Sequence, residues 1–176
     1  MKKHLNLLMN IVLFLLISAA VIAGSFYCYK NCPDFKSLFG GSAPEIIGEV
    51  TDSGETLAQR SERAAVLSLG LFTGIIVIQI LALFVAVNVF KRIRKADESA
   101  EVKLARIANA DVFLDLPLYI GLFGSVSSFM VMSISSSGGQ LIAYSSTLIG
   151  IIFCTCMRVG IMYPMKSKLI AVSGKK

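Results

Sequence analysis

The sequence predicts an all-α fold, a polytopic membrane bundle of four spanning helices. Composition is the first reason. The chain has 176 residues, is 55% hydrophobic and only 16% charged, with a mean hydropathy of +0.74. The second is clustering: the apolar residues sit in long runs, and a run of ~18 or more with few charges reads as a spanning helix. The third is that hydrocarbon offers no partner for backbone N–H or C=O groups. A segment that satisfies them internally must be helical.

The first span covers about 5–24 and follows Lys2 and Lys3. It has a competing reading. Two lysines, an apolar core and Val21-Ile22-Ala23 before Gly24 also fit a signal peptide cleaved after Ala23. Cleavage would leave three spans. The apolar run is longer than a usual signal core, which favours a retained helix. An outer loop follows over 25–63, with Pro33, Pro44 and several glycines and acids. The second span, 64–90, stops abruptly at Lys91-Arg92-Ile93-Arg94-Lys95. The linker 91–111 reads as a short charged helix with Glu101, Lys103 and Arg106 exposed. The third span is 116–135. The turn Ser136-Ser137-Gly138-Gly139 predicts a tight hairpin into the fourth span, 140–163, which Pro164 and the basic tail 164–176 end.

The net charge of +6 belongs with topology rather than with nucleic acid. Lys and Arg accumulate in cytoplasmic loops. The N-terminus, the linker and the tail hold twelve basic residues, the loop 25–63 holds four and the 136–139 turn none. The predicted orientation is therefore multi-pass with both termini cytoplasmic.

Enzyme chemistry finds little footing. His4 is the only histidine, which excludes a buried His-based metal or acid–base site. Paired intramembrane carboxylates, a nucleotide-binding loop and a metal cluster are all lacking, so neither cofactor nor metal is expected. Cys28 and Cys32 lie in the outer loop, where a disulfide is open but not compelled. Cys154 and Cys156 read as small apolar fillers.

Polar signals concentrate in the last two spans. Gly121, Ser125, Ser128, Met132 and Ser135 recur at helical spacing on one face of the third. Leu122, Val126, Phe129 and Met130 occupy its other sides. In the fourth, Tyr144, Thr147, Ile151, Cys154 and Arg158 form a stripe with Gly150 beside it. The hairpin puts Ser125 and Thr147 within roughly one helical turn of the same depth. Two readings remain: a polar wall facing a pore or polar partner, or ordinary packing of small and hydroxyl residues. Asp115 and Arg158 lie at ends the hairpin brings together, either as a structural charged pair or as a charged ion exit. In the second span Gly70 and Gly74 form a Gly-x-x-x-Gly pair, followed by Ala82 and Ala86 on the same face, a pattern for close helix packing. Gln79 and Asn88 read as interhelical hydrogen bonders or boundary residues.

Gly121-Leu122-Phe123-Gly124-Ser125-Val126, with Pro117 upstream, resembles the Gly-Leu-Phe-Gly-Thr-Val segment of the MotA/TolQ/ExbB proton-channel proteins. Thr147-Leu148-Ile149-Gly150-Ile151 is similar to their Thr-Ala-Ile-Gly-Leu segment in the next helix. The resemblance covers about 116–164. It implies a ring of subunits, pentameric in that family, in a bacterial inner membrane. The ring would surround a single-span partner whose Asp accepts the proton, with ion flow coupled to mechanical work. By position, Ser125, Ser128, Thr147, Gly121 and Gly150 would line the pore. Departures are Ser at 125 for the family's Thr, Ser128 for its later Gly, Ile142 where TolQ and ExbB carry Glu, and a much shorter cytoplasmic linker. The alternative is a non-conducting structural or accessory subunit.

Overall fold

The computed structural model describes residues 2–39, 57–135 and 140–173. Among them there is no strand. The elements are α1 (Lys2–Asn31), α2 (Pro33–Leu38), α3 (Leu57–Lys95), α4 (Ala100–Asn109), α5 (Val112–Ser135), α6 (Gln140–Met157), a π-turn (Arg158–Met162) and α7 (Tyr163–Ser173). Four helical stretches are long and apolar enough to cross a membrane: Leu8–Asn31, Glu62–Lys95, Ala100–Met130 and Tyr144–Ser173. The chain is thus an all-α helical bundle with the build of a multi-pass membrane protein. The 136–139 turn lies outside the described residues.

The helices outrun the apolar segments that nucleate them. Gly24 does not end α1, which continues to Asn31. Helix α3, at 39 residues, is ~58 Å long at 1.5 Å per residue, about twice the ~30 Å hydrocarbon layer. Its last turn carries Arg92, Arg94 and Lys95, cations that suit the negative C-terminal end of the helix dipole. Ser99 caps α4 by accepting a hydrogen bond from the Val102 N–H at 3.4 Å.

The fourth span differs most from expectation. Pro164 does not end it. Proline removes the N–H that would bond the carbonyl four residues back, and its ring crowds that carbonyl. Here the backbone widens first: the Tyr163 N–H bonds the Arg158 carbonyl in an i to i−5 pattern. The helix then runs on to Ser173 with Pro164 in the first turn of α7, where a missing N–H is cheap.

Packing is graded. Helices α5 and α6 form the tightest pair, and α3 lies against both. Helix α1 sits at the edge, chiefly on α3, through Asn10 Nδ2 to Asn88 Oδ1 at 3.0 Å and the tilted rings of Phe14 and Phe84. Its other faces are bare, with Leu8, Met9 and Leu16 61–63% exposed, as a lipid-facing helix requires. At the basic end, Phe90, Ile107, Leu114 and Met157 join α3, α4, α5 and α6 in one apolar cluster. At the opposite end Phe39 is 1% exposed between Tyr29, Phe35 and Phe72, folding α2 back onto α3.

The Gly70–Gly74 pair makes no close contact within the chain: a Cβ at either meets nothing within 4 Å. Ala82 and Ala86 are buried while Gly70 and Gly74 are exposed. At 100° per residue the sixteen steps from 70 to 86 turn the face by roughly 160°, so the four residues do not form one stripe.

Candidate functional site

Three helices converge where small residues permit it. A Cβ on Gly121 would lie 2.6 Å from the Ser146 carbonyl oxygen and 2.7 Å from Gln79 Nε2. A Cβ on Gly150 would lie 2.6 Å from the Pro117 carbonyl oxygen and 3.1 Å from Leu118 Cα. The two glycines therefore work as a reciprocal pair. Each lets the other helix's backbone reach van der Waals contact, the geometry that small residues give membrane helices. Gly124 instead admits a side chain from α3: Ile75 fills the space a Cβ would take.

Gln79 closes the third side. It is fully buried. Its Nε2 donates to the Ser146 carbonyl at 2.8 Å and to the Pro117 carbonyl at 3.3 Å. One amide thus bridges α3 to both members of the hairpin. Its Oε1 is enclosed and meets no donor among the described residues.

Against this frame the hydroxyls gather on a single backbone oxygen. Ser125 Oγ donates to the Gly121 carbonyl at 3.0 Å, Ser146 Oγ at 3.1 Å and Thr147 Oγ1 at 3.2 Å. Ser125 Oγ also lies 3.3 Å from Ser146 Oγ and shares a hydrogen bond with Thr147 Oγ1. Ser125 and Ser146 are buried and Thr147 is half-buried, so the cluster runs from the helix interface toward the surface of the chain.

Of the residues singled out in the sequence, Gly121, Ser125, Thr147 and Gly150 come together here. Ser128 is buried on the same face of α5. The side chains of Met132, Ser135 and Ile142 lie outside the described residues. Leu122, Val126 and Met130 are exposed, as the opposite face requires. On α6 the buried face is Ser146, Gly150, Cys154 and Met157, whereas Tyr144 and Ile151 are exposed. The stripe read from the sequence is rotated by about one residue from the true face, and Ser146 was missed for that reason. The signal for it was present: 146, 150, 154 and 157 follow the i, i+4, i+8, i+11 spacing of a single face.

A second polar group lies toward the basic end. Arg158 Nη2 is 2.8 Å from both carboxylate oxygens of Asp115, with Nε 3.3 Å from Oδ1. Nη1 lies 3.4 Å from Asp111. Cys154 donates its S–H to Asp115 Oδ1 at 3.2 Å, a polar role not expected of an apolar filler. Two carboxylates surround one guanidinium, and the arrangement ties the start of α5 to the π-turn. Cys28 and Cys32 carry free thiols, one on the last turn of α1 and the other between α1 and α2.

Compared with known proteins, the chain matches no family model, no curated protein and no solved structure.

Proposed function

We propose that the chain is an ion-conducting subunit of the MotA/TolQ/ExbB type, set in a bacterial inner membrane with both termini cytoplasmic. It assembles as a homo-oligomer, pentameric by resemblance, around a single-span partner that carries an intramembrane Asp. Proton flow through the assembly is coupled to mechanical work. The observation that carries this reading is the shared hydrogen bond between Ser125 and Thr147 across the hairpin. A connected line of hydroxyls, each able both to donate and to accept, reaches from buried Ser146 to half-buried Thr147. Such a line can pass a proton but lacks a group to hold one, and the partner's carboxylate supplies that group.

One observation favours a second reading, a non-conducting scaffold subunit. Ser125, Ser146 and Thr147 all find partners inside the chain, and Gln79 bridges the same carbonyls that the glycines bring close. A cluster of that kind needs no pore.

The two readings separate in one experiment. The complex is purified with its partner, reconstituted in vesicles containing a pH-sensitive dye, and compared with Ser125→Ala/Thr147→Val. The channel reading expects an assembly of unchanged mass whose proton flux falls at least tenfold. Full flux in an intact double variant refutes the assigned role. Loss of assembly supports the scaffold, as does a wild-type protein that runs as a monomer or dimer without a single-span partner.

A further inference from the structure

The helices leave a cavity of about 330 Å³ at the basic end of the bundle, between α3, α4, the π-turn and α7. Its walls are of two kinds. Phe90, Ile161, Met165 and Leu169 make an apolar floor continuous with the apolar cluster that joins the helices there. Lys91, Arg94, Lys103 and Lys168 bring four cations to it. Among the described residues no carboxylate pairs with any of the four, whereas the neighbouring Arg158 is neutralised by Asp111 and Asp115 and Arg106 by Glu98. Among the described residues the charge around the cavity is therefore unpaired, and it comes from three separate helices.

We propose that this cavity binds the headgroup of an anionic phospholipid, with the phosphate among the lysines and Arg94 and the first methylenes of the lipid over the apolar floor. Position selects lipid over a free anion. The cavity lies where the apolar run of α3 gives way to its basic end, the depth at which a phosphate sits above hydrocarbon. A volume near the lower end of the ~300–1,000 Å³ range of small-ligand sites has room for a glycerophosphate and little more, so the acyl chains would lie outside along the exposed helix faces. Basic pockets between membrane helices on the side bearing anionic lipids are suited to such headgroups. The π-turn contributes by leaving Gly160 on the wall, where a Cβ would meet nothing within 4 Å. Side-chain volume is absent at the point where the helix widens, and local π-turns are often found at functional sites. This inference does not depend on ion conduction.

The test is native mass spectrometry of the full chain released from mixed micelles. The micelles hold equal phosphatidylglycerol and phosphatidylcholine, with and without millimolar inorganic phosphate. The expected result is retained phosphatidylglycerol in preference to phosphatidylcholine, unaffected by phosphate. Lys103→Gln and Lys168→Gln should each weaken retention about fivefold, following the ~1 kcal/mol that a basic residue contributes near an anionic surface. Gly160→Leu keeps every charge and fills the wall, and it should abolish selective retention while leaving the circular-dichroism melt in place. Lys95→Gln/Lys166→Gln removes two cations that do not line the cavity and should change retention little. Equal retention of the two lipids, or an equal loss in that control, overturns the site. Full displacement by inorganic phosphate overturns the lipid as its occupant.

Discussion

Arg158 holds Asp115 through two of its nitrogens, with both carboxylate oxygens 2.8 Å from Nη2. The acid belongs to the first turn of α5 and the guanidinium opens the π-turn after α6, so the pair fastens the two ends of the hairpin that lie away from its 136–139 connection. The side chains are 24% and 36% exposed, between the surface pairs that contribute ~0–1 kcal/mol and the buried ones whose disruption costs ~3–5 kcal/mol. Asp115→Asn should therefore lower unfolding free energy by about 2 kcal/mol. A double-mutant cycle with Arg158→Gln in detergent, read by chemical denaturation, should return a coupling of about 1–2 kcal/mol. Strict additivity would show that the contact adds nothing.

The glycines should divide into two classes. Gly121→Ala and Gly150→Ala drive a methyl to 2.6 Å from a backbone carbonyl, and backbone cannot step aside as a side chain can. Each should cost about 1–3 kcal/mol or more. Gly70→Ala and Gly74→Ala face open space and should gain up to about 1 kcal/mol from helix propensity alone. Thermal melts of the four variants check this. If either of the second pair melts normally but loses the native oligomer by size, those glycines pack between chains.

Gln79 can be lost in two ways with different costs. Gln79→Met keeps the volume and removes two donors. The Ser146 and Pro117 carbonyls keep their own helical N–H partners, and the enclosed Oε1 goes as well, so the net cost should be about 1 kcal/mol. Gln79→Ala also opens a cavity between three helices and should cost about 2–5 kcal/mol. Equal destabilisation by Met and Ala in denaturant titrations would show that the bonds, rather than the volume, hold α3 in place.

Phe39 is the largest fully buried side chain at the far end of the bundle, packed with Ala65 and Leu69. It is 1% exposed and meets three rings. Phe39→Ala should cost about 3 kcal/mol and release α2, seen as proteolysis near residue 33 while α5 and α6 stay protected.

The spanning helices were legible because each rests on a bulk property, a long apolar run bounded by charged or turn-forming residues. Where helices end was less legible, because that depends on local backbone geometry. Gly24 reads as a stop only if the chain turns there, and Pro164 only if the preceding helix stays α-helical; a π-turn removes that conflict. The polar site was half legible. Ser125, Thr147, Gly121 and Gly150 stand out as small or hydroxyl residues at helical spacing. Ser146 did not, because a stripe anchored on Tyr144 and Thr147 is turned away from the buried face by one residue. Gln79 looked like a generic hydrogen bonder, and only the crossing of α3 over the hairpin gives it two particular carbonyls. Gly70 and Gly74 carry a local motif, but their face lies beside the buried one of Ala65, Leu69 and Thr73 and meets nothing within the chain.

The Gly121 carbonyl has more suitors than lone pairs. Ser125 bonds it through its helical N–H, and three hydroxyls point at the same oxygen, although a carbonyl offers two lone pairs. With one taken by the backbone, the three hydroxyls compete for what remains, and Ser125 Oγ lies within hydrogen-bond reach of both Ser146 Oγ and Thr147 Oγ1. More than one donor–acceptor arrangement therefore fits the same heavy-atom positions, and passing between them needs only rotation of the hydroxyls. The heavy atoms of three hydroxyls are thus fixed around one oxygen while their O–H bonds keep a choice of direction.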